Sequence, residues 1–134
     1  MPCLAATKDQ AANAFNFIAG ALESSPALRG LIENKTADTL SLGTNVDVVV
    51  RPASYRSVRG ATFVGICLDE VAFFRSEEIS VNADIEIVRA LRPGLLTTKG
   101  PLIAISSPYA RRGYLWNAYK KHFGPDGSPR VLVA

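Results

Sequence analysis

Short apolar runs alternate along the chain with segments in which apolar residues recur every three or four positions, the rhythm of strands followed by helices. Residues 2–6 (Pro-Cys-Leu-Ala-Ala) read as a first strand, and Ala11, Phe15, Ile18 and Leu22 then mark one helical face. Thr7 and Gln10 stand at capping-box spacing before that face, the hydroxyl serving one free backbone donor and the amide reaching back to another. Ser24-Ser25-Pro26 predicts the end of the helix. Residues 39–42 and 46–50 flank Gly43-Thr-Asn45, which predicts a hairpin, and Pro52 closes its second arm because proline cannot donate to a ladder. A polar, arginine-bearing connection over residues 53–60 follows.

Residues 63–70 (Phe-Val-Gly-Ile-Cys-Leu-Asp-Glu) form an apolar run that ends abruptly in two carboxylates, Asp69 and Glu70. Runs of this kind are buried on both faces, so a central strand of a parallel sheet is expected. Val81, Ile85, Val88 and Leu91 predict a second helix stopped by Pro93-Gly94. Residues 101–105 read as a strand that ends in Ser106-Ser107 before Pro108. Leu115, Trp116, Tyr119 and Phe123 mark a helix over residues 114–123, with Trp116 and Tyr119 expected in the core, and residues 131–134 begin a further strand. The alternation predicts one α/β domain over residues 1–134, three layers around a mainly parallel sheet. Ligands bind such sheets beyond the carboxyl ends of the strands, where both polar tips fall.

Composition narrows the function classes. With 134 residues and 48% apolar content the chain can bury a single core. Its apolar stretches fall well short of the roughly eighteen residues that read as a membrane span, and no basic-then-apolar leader opens it, so a soluble, cytoplasmic protein without a membrane partner is expected. Cys3 and Cys67 are too isolated for a disulfide framework or a zinc site and read as buried free thiols. His122, the sole histidine, reads as a surface residue and excludes a histidine-based metal centre. The net charge of +3 hides an uneven distribution. Asp69, Glu70, Glu77, Glu78, Asp84 and Glu86 cluster mid-chain, whereas Arg89, Arg92, Lys99, Arg111, Arg112, Lys120, Lys121 and Arg130 follow with only Asp126 opposing. A basic C-terminal half suits a polyanionic partner such as nucleic acid, although solvated surface charge explains it almost as well.

An acidic pair closing an apolar strand is the pattern of a Walker B element, in which the first carboxylate supports Mg²⁺ and the second orients the attacking water. The bland alternatives are a solvated strand end for Asp69-Glu70 and an ordinary helix-opening turn for Ser106-Ser107-Pro108. The order of segments favours the Walker B pattern over these alternatives. Residues 4–11 (Leu-Ala-Ala-Thr-Lys-Asp-Gln-Ala), the hairpin, Arg59-Gly60, residues 67–72 (Cys-Leu-Asp-Glu-Val-Ala), and residues 103–109 (Ile-Ala-Ile-Ser-Ser-Pro-Tyr) with Gly113 after them resemble the ATPase domain of the large terminase subunit of tailed phages and prophages. That resemblance implies an incomplete P-loop NTPase (RecA-like) core belonging to an ATP-driven motor that moves double-stranded DNA into capsids. It implies Asp69 as the Mg²⁺-associated residue, Glu70 as the catalytic carboxylate, and Ser106 and Ser107 as the coupling motif that senses the γ-phosphate of ATP. Arg59 would approach phosphate or DNA, and with less support Arg111 and Arg112 would contact phosphate or a subunit interface. Partners implied by the family are the portal protein, the small terminase subunit and further copies of the same chain in a ring.

The phosphate-binding loop that opens such a domain is not found. Its nearest candidate, Gly94 to Gly100, places Lys99 before the last glycine and has no hydroxyl residue after it. The expectation is therefore a piece of a longer terminase, lacking also the nuclease domain, that binds ATP weakly by itself. A RecA-like helicase segment and a non-enzymatic remnant that binds DNA or a partner subunit are the competing expectations.

Overall fold

The computed structural model describes residues 1–54, 60–74, 82–128, 131 and 133. Six strands, β1 (Pro2–Ala5), β2 (Ile32–Lys35), β3 (Thr39–Leu42), β4 (Val46–Pro52), β5 (Ile66–Asp69) and β6 (Leu102–Ile105), are joined by three helices, α1 (Lys8–Ser24), α2 (Ala83–Leu91) and α3 (Gly113–His122). The strands form one sheet in the order β2-β3-β4-β1-β5-β6. β1 pairs parallel with β4 and β5, and β5 pairs parallel with β6. β3 is antiparallel to β4 and to β2, making the sheet mixed and mostly parallel.

The two faces are covered by different helices because side chains alternate along each strand. Cys3, Ala5, Leu40, Val48 and Val50 point to one face and pack under Ala11, Phe15 and Ala19 of α1. Leu4, Ile66 and Leu68 point to the other and pack with Ile87, Val88 and Leu91 of α2 and with Val71 and Phe74. Thr7 caps α1 as its sequence predicts, its Oγ1 accepting the Gln10 N–H at 3.2 Å. The second half of the capping box differs: the Gln10 amide oxygen accepts the Thr7 hydroxyl at 3.3 Å.

Several sequence expectations are revised. β2 was not expected, because Ile-Glu-Asn-Lys shows no apolar alternation; its pairing to β3 holds it on an edge where three of its four residues are exposed. The ladder of β5 begins only at Ile66, since the N–H of Phe63 bonds instead to the Gly94 carbonyl at 2.8 Å. β5 is interior, flanked by β1 and β6, and lies one strand from the edge. α2 does end at Leu91, just before Pro93-Gly94, although a 3-10 turn follows over Arg92–Leu95. The largest revision concerns α3, none of whose residues is buried. Trp116 is only half-buried and Tyr119 is exposed, so these rings do not belong to the core. Val131 and Val133 lie outside any strand, and the expectations for Glu77, Glu78 and Val81 fall outside the described residues.

Candidate active site

Parallel pairing of β1, β5 and β6 brings their carboxyl ends to one rim of the sheet, and register decides what meets there. Leu68 lies beside Ala104 and Asp69 beside Ile105, so the chain leaves both strands at the same level. Glu70 comes next after β5 and Ser106 next after β6. Glu70 adopts the left-handed conformation, with φ 56° and ψ 46°, and thereby ends the strand and opens a 3-10 turn over Val71–Phe73. An L-residue held there costs on the order of 1–2 kcal/mol.

That turn aims the Glu70 carboxylate at the neighbouring strand end. Its Oε2 accepts the Ser106 hydroxyl at 3.1 Å and the Ser107 backbone N–H at 3.2 Å. Among the described residues none donates to Oε1. The Ser106 hydroxyl also accepts the Ala72 N–H at 3.2 Å and lies 3.0 Å from the Ser107 carbonyl. A hydroxyl carries one proton, so Ser106 donates either to Glu70 or to its neighbour's carbonyl. The bond to an ionised carboxylate is the stronger. A second clamp closes over the same two turns, where the rings of Phe73 and Tyr109 meet at 5.0 Å and 48°.

The chain matches no known protein-family model and no curated protein.

Of the residues singled out by sequence, the structure unites Glu70, Ser106 and Ser107. Asp69 adjoins them at the end of β5, half-buried, on the face that carries Cys67. Arg59 lies outside the described residues. Among the described residues no group of three or more His, Cys, Asp or Glu side chains converges on a metal position. Mg²⁺ asks for less than such a cluster, since one or two carboxylates with water and phosphate oxygens suffice. Asp69, which accepts no hydrogen bond from a described residue, fits that minimal requirement.

Sequence reasoning missed the Ala72 N–H and the Phe73–Tyr109 contact, because backbone donors and ring pairs carry no sequence signature. It also missed Asp84. This carboxylate, 8% exposed in the first turn of α2, accepts the Tyr114 N–H at 2.6 Å. Arg112 supplies no side-chain cap to α3, so Asp84 caps that helix from another element and complements its dipole. Gly113, with φ 83°, is needed twice over, because a Cβ there would run into the Asp84 carboxylate.

Gly94 and Gly100 have packing reasons that differ from phosphate binding. A Cβ on Gly94 would strike Phe63 and the Ala61 carbonyl, and one on Gly100 the Val64 carbonyl. Both glycines precede β6, at the amino end of the strand and away from Glu70 and Ser106. Cys3 and Cys67 face each other across β1 and β5 and are both free, Cys3 buried and Cys67 half-buried. A hydrogen bond with Cys67, then burial, push the Cys3 thiol well above its ordinary value.

Proposed function

We propose that the chain forms part of a P-loop NTPase (RecA-like) ATPase domain of the large-terminase type, acting in ATP-driven translocation of double-stranded DNA. The observation that carries this reading is the Glu70 carboxylate held on Ser106 and Ser107 at the ends of two adjacent parallel strands. A water-orienting acid must be fixed in direction, and a coupling element must touch it; this arrangement meets both demands. Glu70 would orient the attacking water through Oε1. Asp69 would hold Mg²⁺ by its water shell, and the ion would supply neutralisation of the phosphate charge of ATP. Ser106 and Ser107 would report the state of the γ-phosphate to the turn after β5 through the Ala72 N–H. Double-stranded DNA, a portal protein, a small terminase subunit and sister copies in a ring are the partners this reading entails, and the host cytoplasm its location.

The test is made in a polypeptide that joins this chain to a phosphate-binding loop. Glu70→Gln should lower ATP turnover by roughly 10²–10⁴-fold, the usual worth of a positioned acid or base, while nucleotide affinity holds. Unchanged turnover overturns the assignment.

One observation favours a second reading, a DNA-binding unit without catalysis. Arg111, Arg112, Lys120 and Lys121 are all exposed at or on α3, and that helix carries no acid. On this reading DNA affinity falls with salt as phosphate contacts release counterions, and Glu70→Gln leaves every measured activity untouched.

A further inference from the structure

The two cysteines of the chain stand opposite each other on neighbouring strands, and we propose that they form a reversible dithiol–disulfide site, oxidised by a low-molecular-weight disulfide. The inference does not depend on the ATPase reading. Parallel pairing places Cys3 of β1 in register with Cys67 of β5. Both side chains lie on the same face of the sheet, in the cluster beneath α1. The two thiols are hydrogen-bonded to each other. The sequence holds no third cysteine, so neither thiol has another partner within the chain. Strand spacing decides whether a bond can close between them. Neighbouring strands lie about 4.7–4.9 Å apart, inside the roughly 4.4–6.8 Å that separate the Cα atoms of a disulfide. Side chains standing parallel at that spacing must still draw together, since the Cβ atoms of a disulfide lie only about 3.5–4.5 Å apart, and a bond closed against its preferred geometry is more easily reduced. Disulfides of that kind are labile and regulatory.

Burial assigns a different step to each sulfur. Cys3 is 3% exposed, whereas Cys67 lies half-buried at the margin of the same cluster. Cys67 therefore meets the oxidant first. Its thiolate attacks one sulfur of the small disulfide, a mixed disulfide forms, and one small thiol leaves with the proton that Cys67 gave up. Cys3 then attacks the Cys67 sulfur, the Cys3–Cys67 bond forms, and the second small thiol leaves with the Cys3 proton. Two protein thiols and one small disulfide thus become one protein disulfide and two small thiols. The bond ties β1 to the strand that carries both acids, two residues before Asp69.

Incubation of the folded chain with oxidised glutathione, followed by an acid quench and intact-mass measurement, tests this. The chain should become lighter by two hydrogens and lose both free thiols, and dithiothreitol should restore them. Closure of the mixed disulfide should be at least about tenfold faster in the folded chain than in urea, because the fold holds the two sulfurs together. Cys3→Ala should stop at a glutathione adduct on Cys67. Cys67→Ala, its fold checked by circular dichroism, should leave Cys3 unmodified. A folded wild-type chain that keeps both thiols, or that accumulates the adduct without closing, overturns the proposal. So does a disulfide that joins two copies, a closure no faster folded than unfolded, or ready modification of Cys3 in folded Cys67→Ala.

Discussion

Glu70 offers a test in which the sign of an effect, and not only its size, is fixed by the backbone. Its φ of 56° is a conformation that glycine adopts freely and alanine does not. Glu70→Ala and Glu70→Gly both remove the carboxylate and both forfeit its bonds to Ser106 and Ser107, so their difference isolates the backbone. At ordinary dihedral angles glycine is the less stable of the two by roughly 0.5–1 kcal/mol through unfolded-state entropy. In the left-handed region relief of about 1–2 kcal/mol of strain outweighs that penalty, and the glycine variant should be the more stable by about 1 kcal/mol. For a domain of this size that difference corresponds to roughly 3–5 °C in Tm. Urea titrations of the two variants, with midpoints compared at equal m-value, measure it. If the alanine variant equals or exceeds the glycine variant, the left-handed turn is not held in solution. The approach of the carboxylate to Ser106 then fails with it.

Other substitutions probe the frame around the site. Asp84→Ala should cost about 2 kcal/mol, the worth of a hydrogen bond to a charged group, and should relieve the collision that makes Gly113→Ala severe. The double variant should therefore be less destabilised than the sum of the singles in urea unfolding, and strict additivity would contradict the cross-element cap. Arg51 Nε lies 2.8 Å from Asp38, and this bond, then one from Thr39, holds the Asp38 carboxyl below its ordinary 3.8. Its stabilisation is present above pH 3.8 and is lost as pH falls through the depressed value. Arg51→Ala should remove at most about 0.5 kcal/mol at pH 5, given the exposure of the pair, and progressively less as the pH of paired thermal melts falls below 3.8. Leu68→Ala, fully buried under α2, should cost about 2–5 kcal/mol, whereas Ile103→Ala on the open edge should fall within about 0.5 kcal/mol.

What the chain shows before folding is its local code. Thr7 announces α1 through a side-chain bond within one turn, and Gly43 to Asn45 announce the β3–β4 hairpin, since both signals act over a few residues. The apolar runs of β1 and β5 are legible because interior parallel strands leave a continuous imprint, whereas β6 carries the same imprint although Ile103 and Ile105 are exposed. β2 leaves none, being stabilised by its neighbour and not by its own side chains. α3 misleads in the opposite direction. Its apolar residues recur at helical spacing and imply a buried face, yet Trp116, Tyr119 and Phe123 stack on one another at 5.7 and 4.8 Å and stay outside the core. Periodicity records that a face is apolar; it does not record which surface covers it. The site was half legible for a related reason. The residue types at the tips of β5 and β6 suggested chemistry, but their meeting depends on a register that no single strand encodes.

The weight of the functional reading rests on how Glu70 differs from residues that share its backbone. Asn45 and Lys99 also have positive φ, at 57° and 55°, so the left-handed conformation alone distinguishes nothing. Asn45 sits in a hairpin turn, where asparagine tolerates that region. Lys99 closes a loop with its N–H on the Leu95 carbonyl and projects into solvent. Glu70 is the one whose side chain is directed by the turn onto a second strand end, where a hydroxyl and an amide fix it. Glycine would terminate β5 at lower cost, and asparagine nearly so. Neither would place a carboxylate on the hydroxyl that also holds the Ala72 N–H. At Glu70 the strained backbone also fixes the direction of a carboxylate, and an observed outlier of that kind motivates the proposed function.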